Sequence, residues 1–171
     1  MKYCPITYDM IDEQQMYSTR GLKQLSPQLK QLQPLSLTAA AQREEAMSRV
    51  GKMSIQGVQA KLSAQLNVKQ GQFNIVDQLG RYILKPPSDY YQSLPENEAL
   101  TMTLAAQIGI LVPVHGLVWA IDGSMTYFIK RFDRVGHVNK LAVEDFAQLS
   151  GRSRDIKYDS SMERVAKVLS F

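Results

Sequence analysis

The chain has 171 residues, 44% of them hydrophobic, with 20 Lys and Arg against 16 Asp and Glu, enough for one medium domain or two small subdomains sharing a core. No run of about 18 apolar residues offers a transmembrane helix, and the start, MKYCPITYDMIDEQQ, carries acids where a signal peptide needs an apolar stretch, so a cytoplasmic protein without a membrane partner is expected. The single cysteine, Cys4, excludes an intrachain disulfide and a cysteine-rich metal site. The net charge of +4 permits contact with nucleic acid or an acidic substrate without demanding either.

Residues 1–50 are weakly patterned. Leu22, Leu25, Leu29 and Leu32 can line one side of a short helix that Pro27 breaks. LTAAAQREEAMSRV, 37–50, is rich in helix formers, with Thr38 placed to cap it, a thin apolar face, and Gly51 and Lys52 to end it. GKMSIQGVQAKLS, 51–63, follows. Backbone N–H groups in a glycine-containing turn can point at phosphate oxygens, yet the stretch is neither GxxxxGK[ST] nor GxGxxG. An ordinary surface turn and a phosphate-holding loop both stay open, and Ser54 reads as a turn hydroxyl or a phosphoacceptor.

Residues 60–86 read as a sheet. Leu62, Ala64, Leu66 and Val68 alternate, KQGQ turns, FNIVDQ and RYILK supply two more strands, and Pro86 and Pro87 stop the last. Tight turns between them imply an antiparallel meander. LPENEALTMTLAAQIG, 94–109, is the clearest helix, with Pro95 in its first turn, Glu96 and Glu98 at its positive end, Gly109 to close it, and an apolar stripe of Leu100, Leu104 and Ile108. IGILVPVHGLVWAI and MTYFIKRF give two further strands joined by a turn at 122–124, and LAVEDFAQLSG, 141–151, a short helix. His115 and His137 stand in no metal-ligand spacing, and His115 reads as a strand or turn residue.

Three strands, a helix, two strands, then a linker and a helix make an α+β layer, an antiparallel sheet with a packed helix. That is also the order of a protein-kinase small lobe. Phosphoryl transfer in such a lobe needs a strand lysine for the nucleotide phosphates and a helix glutamate to orient it. Lys85 is the candidate lysine, or a strand-end lysine with its ammonium in water. Glu96 and Glu98 are candidate partners, or simply favourable charge at a helix start, and periodicity leaves open which of them faces the sheet. Arg131, Asp133 and Arg134 either line a cleft edge or form structural ion pairs.

SIQGVQAKL (54–62), YILKP (82–86), PENEALTMTLAAQIGILVP (95–113), FIKRFDR (128–134), EDFAQLSG (144–151) and KYD (157–159) together resemble the ordered motifs of the HipA-like serine/threonine kinases. Within that family the nearest pattern is that of HipT, the short kinase toxin of three-component toxin–antitoxin systems. The resemblance implies ATP and Mg²⁺ as cofactors and Ser54 as an autophosphorylation site. It places Ile55, Gln56 and Gly57 beside the phosphates and Lys85 on the α- and β-phosphates, with Glu96 or Glu98 as the lysine partner. Arg131 and Phe132 fall where the hinge meets adenine. HipT carries a second loop serine where this chain has Gln56, and the family's hinge glutamate is Lys130 here.

The same resemblance implies three partners: a small antitoxin equivalent to the missing N-terminal subdomain of HipA, a helix-turn-helix DNA-binding antitoxin that gives only indirect contact with DNA, and an aminoacyl-tRNA synthetase as substrate. The expected division is 1–50, an N-terminal helical or irregular segment; 51–140, a kinase-like ATP-binding small lobe; and 141–171, a linker after the hinge leading into a truncated helical lobe. The catalytic base and the metal-binding residues are expected beyond residue 171, with no C-terminal catalytic lobe in this chain, so the chain alone is expected to be inactive. Two alternatives stand beside this reading: a non-catalytic binding or inhibitory protein derived from a kinase small lobe, and an α+β module that contacts nucleic acid.

Overall fold

The computed structural model describes residues 1–49, 59–136, 139–153, 156–157 and 159–170. The candidate loop residues Ser54, Ile55, Gln56 and Gly57 lie outside the described residues. The chain divides into two compact units, which meet in sequence at Phe132 and Asp133.

The first unit opens with a small antiparallel pair, β1 (Lys2–Tyr3) and β2 (Met10–Ile11). Helix α1 (Thr19–Leu25) begins where the Ser18 side chain accepts the Gly21 N–H, and it stops at Ser26, just before Pro27. Beyond it Leu29, Leu32 and Leu35 continue the buried row of Leu22 and Leu25 in extended chain. Helix α2 (Ala39–Ser48) is capped by Thr38, whose hydroxyl accepts the Ala41 N–H. Its thin apolar face is compensated by a polar anchor. Gln42 is fully buried, donates to the Leu37 carbonyl at 3.1 Å and accepts from Thr126 Oγ1 at 2.8 Å. A buried amide satisfied at both ends fixes a helix that apolar burial alone would hold weakly.

A five-stranded antiparallel sheet follows: β3 (Leu62–Asn67), β4 (Gln72–Ile75), β5 (Tyr82–Lys85), β6 (His115–Trp119) and β7 (Met125–Lys130). Its order is β4-β3-β5-β7-β6, which corrects the expected meander. The Val76 N–H still bonds to the Ser63 carbonyl on the β4 side, and the Arg81 N–H bonds to the Ala64 carbonyl on the β5 side. Residues 77–80 therefore carry the chain across β3, and β5 pairs with β3 rather than with β4.

Alternation along the strands separates two faces. Leu62, Ala64, Tyr82, Leu84, Val118 and Phe128 point into one core together with Cys4, Tyr17 and the leucines of the N-terminal segment. Leu117 and Tyr127 point the other way and pack with Ala99 of helix α3 (Leu94–Gln107), with Met102, Met125 and Ile129 around them. The unit thus has three layers: N-terminal segment, sheet, helix. Residues 1–49 share the core of the sheet and the same compact unit, so contacts do not divide the chain at residue 50.

The phase of α3 also differs from what its leucines suggest. Leu100, Leu104 and Ile108 are 46%, 51% and 78% exposed, while Pro95 and Ala99 are buried. Ala99 and Met102 face the sheet, and the row of Leu100, Leu104 and Ile108 is left outside.

The second unit contains β8 (Arg134–Val135) paired with β9 (Asn139–Lys140), α4 (Phe146–Leu149) and α5 (Met162–Leu169). The helix expected over 141–151 is confined to four residues. Asp145 is its N-cap, in a reciprocal capping box with Gln148, which sets the start at Phe146. Among the described residues no helix is long and apolar enough to cross a membrane.

Candidate functional site

Lys85 is the last residue of β5, followed by the fully buried Pro86, which cannot extend the ladder. Its cross-strand partner in register is Tyr127 of β7. Directly opposed residues present their side chains on the same face, which here is the α3 face. Lys85 Nζ lies 2.9 Å from Glu98 Oε1 and 5.6 Å from the centroid of the Tyr127 ring. The lysine and glutamate side chains are 27% and 24% exposed, so the pair is partly desolvated and its attraction is stronger than that of a surface pair.

The helix phase decides between the two candidate glutamates. Glu96 and Glu98 are about 200° apart around an α-helix, so only one can face the sheet. Glu98 does, beside buried Ala99. Glu96 heads the i, i+4 row of Leu100, Leu104 and Ile108 and instead lies near the Tyr8 phenol. Lys85 is thus paired with Glu98 and not with Glu96.

Glu98 Oε2 is buried and has no hydrogen-bond partner among the described residues. Desolvation pushes the Tyr127 phenol well above its ordinary range, and the Glu98 charge adds to the shift, so the ring is neutral at physiological pH. Further along the same face His115 Nδ1 lies 2.9 Å from the Pro113 carbonyl, which makes that nitrogen the protonated one, and Nε2 is 3.3 Å from Thr103 Oγ1. Thr103 Oγ1 is also 2.9 Å from the Ala99 carbonyl, so its one hydrogen serves either that carbonyl or the His115 ring nitrogen. His115 is therefore a strand residue tied to α3.

Arg131 and Phe132 stand at the other end of the β5–β7 ladder. Lys130 pairs with Tyr82, three residues from the Lys85–Tyr127 pair, or about 10 Å along the strand. Arg131 is buried, and its N–H bonds to the Arg81 carbonyl at 2.8 Å. Phe132 is 64% exposed. The structure brings Lys85 and Glu98 together and leaves Arg131 and Phe132 apart from them on the same sheet. Ser54, Ile55, Gln56 and Gly57 fall outside the described residues.

A lysine on the third strand of a five-stranded antiparallel sheet, paired with a glutamate on the helix that follows, is the arrangement that protein kinases use to hold nucleotide phosphates. Residues 53–171 match the HipA-like C-terminal domain family, more than half of the chain. The chain belongs to the HipA-like family. Relatives of this HipA-like chain include a Haemophilus influenzae protein named "Putative kinase", 34% identical over 148 residues, which span 78% of this chain and 40% of that protein. A Sinorhizobium fredii protein named "Putative kinase Y4dM" is 36% identical over 135 residues, 71% of this chain and 33% of its own. The HipA-like chain therefore spans well under half the length of the curated relatives it matches.

Tyr127 was not singled out by sequence reasoning. MTYFIK shows by alternation that Tyr127 shares a face with Met125 and Ile129, but only the strand register places it opposite Lys85.

Proposed function

We propose that this chain is the ATP-gripping part of a HipA-like serine/threonine kinase of the HipT type. The observation that carries this reading is the 2.9 Å Lys85–Glu98 pair between β5 and α3. An ammonium has three N–H donors, and Glu98 engages one of them in a fixed direction, which leaves a cation aimed for phosphate oxygens. These residues fit the α- and β-phosphates of ATP. Among the described residues no group of three or more His, Cys, Asp or Glu side chains is gathered to hold a metal ion. In this reading Mg²⁺ neutralises phosphate charge in the transfer step.

In this reading Ser54 accepts a phosphate in the loop before β3, with Ile55, Gln56 and Gly57 beside it, and Arg131 and Phe132 border the adenine. The target is an aminoacyl-tRNA synthetase in the cytoplasm, whose phosphorylation arrests translation. A small antitoxin and a helix-turn-helix DNA-binding protein are the partners. What supports these finer assignments is the ordered set of motifs from Ser54 to Asp159, together with the family match.

The test is a calorimetric titration of the 171-residue chain with ATP, with and without Mg²⁺. Lys85→Ala should weaken binding by at least about tenfold, the worth of a charge-assisted hydrogen bond. Binding of equal strength in the parent and in Lys85→Ala would overturn the assignment. Mass analysis of the peptide covering 52–61 after incubation with a full-length HipA-like kinase would then show whether Ser54 is modified.

A further inference from the structure

The Lys85–Glu98 pair has a third member. Tyr127 lies across from Lys85 in the β5–β7 register, its ring centroid is 5.6 Å from the ammonium, and it is 2% exposed. Ala99 and Leu117 bury it, with Met102, Met125 and Ile129 packed around them. A ring walled on these sides has little room to move, so it offers the ammonium a fixed π face within the range of a cation–π contact. We infer that Tyr127 is the positioning residue of Lys85, holding the ammonium on the α3 face of the sheet so that a nucleotide phosphate can take its N–H donors without loss of aim. The inference rests on the nucleotide reading above.

The two anchors of Lys85 differ in what they require. Glu98 accepts one of the three ammonium N–H donors in a fixed direction. The ring attracts the charge and asks for no particular N–H. When phosphate oxygens take the remaining donors, the ring still holds the head group against the sheet. Burial and the neighbouring Glu98 charge keep the phenol protonated, so the role belongs to the ring and not to phenolate chemistry.

The contact is read directly by NMR of the full 171-residue chain labelled with [¹³C-ε]lysine, with the Lys85 signal assigned by its disappearance in Lys85→Arg. An aromatic face shields a group above it, so the Lys85 ε-methylene should lie upfield of the other lysines in the parent chain and in Tyr127→Phe. It should return to the common lysine position in Tyr127→Leu. ATP affinity should fall about fivefold in Tyr127→Leu, as loss of a partly desolvated cation–π contact implies, and change less than twofold in Tyr127→Phe. A Lys85 signal at the common position in the parent would overturn the inference, as would equal loss of ATP affinity in the Phe and Leu variants. Should Tyr127→Leu fail to fold, the parent and Tyr127→Phe spectra decide the matter alone. An upfield Lys85 signal with no ATP binding in any variant would keep the contact and sink the nucleotide reading.

Discussion

In the first unit Phe73 meets Tyr82 and Phe128 at centroid distances of 5.1 and 5.5 Å, and the sheet and the N-terminal segment close over them. In the second unit neither α4 nor α5 has a buried residue. Its contacts are polar and local: the Asp145–Gln148 capping box, Lys157 Nζ at 2.6 Å from Asp145 Oδ2, and Arg152 donating to the Asp159 carbonyl. The contrast shows where a site of fixed geometry can be built. Lys85, Glu98 and Tyr127 sit on elements locked by apolar packing, whereas Asp145 and Lys157 are joined by an ion pair in a unit where α4 and α5 carry no buried residue.

The strongest way to break that comparison is Phe128→Ala. Phe128 is fully buried, and its truncation should cost about 3–5 kcal/mol, read as a fall in the denaturant midpoint of the sheet. A loss below about 1 kcal/mol would mean that the core is not what holds the first unit. A pair of glycines with nearly the same backbone angle gives a second, smaller effect. Gly71 has φ +64° and a Cβ there would lie 2.5 Å from the Gln31 carbonyl oxygen; Gly151 has φ +66° and no described atom within 4 Å of such a Cβ. Gly151→Ala should cost about 1–2 kcal/mol for the left-handed backbone alone. Gly71→Ala should add about 1–3 kcal/mol for the clash, because the strand-turn backbone and the Gln31 segment must part. Equal losses, measured by thermal unfolding, would show that the surroundings of the two glycines do not differ as described.

The smallest effect is the pH response of the α4 cap. The Lys157 ammonium, and then the Gln148 N–H, hold the Asp145 carboxyl below the usual carboxylate range. A depressed folded-state value means stabilisation that is fully present above the ordinary carboxylate pKa, near 4, and is lost as pH falls through the lowered one. Amide protection factors at residues 147–150, corrected for the intrinsic pH dependence of exchange, should therefore fall in acid before those of the sheet amides. Lys157→Ala should produce less than about 1 kcal/mol of the same loosening at neutral pH. Unchanged exchange in both conditions would remove the ion pair from the account of this unit.

Much of this architecture is legible in the sequence because its signals are local. Thr38 caps α2, alternation marks Leu62 and Ala64 as inward, Pro95 opens α3, and Gly123 turns β6 into β7. Three features were not legible, each for a physical reason. Strand order depends on which edges pair, and the turn signals of residues 76–81 mark a turn without saying that it crosses β3. The phase of α3 is masked because a leucine and isoleucine row is the outer one, while Pro95, Ala99 and Met102 face the sheet, so hydrophobic periodicity points the wrong way. The N-terminal segment joins the core through leucines in extended chain and through Gln42, a buried amide that reads in sequence as a surface residue. The choice between Glu96 and Glu98 follows from that phase, while the loop around Ser54 lies outside the described residues.

The position of β5 in the sheet carries a consequence for how the molecule assembles. β3 with β4 and β6 with β7 are each neighbours in sequence, so their pairings can form on the time scale of isolated hairpins, about 1–10 μs. β5 is the strand between them, and its ladder to β7 joins residues about 45 apart in the chain, which carries a larger loop-closure entropy. β5 is thus the seam along which two early hairpins are stitched, and Lys85 is at its end. The ammonium comes to rest over Tyr127 only when that slow stitch is complete, so a chain that misregisters or stalls there never brings Lys85 and Glu98 together.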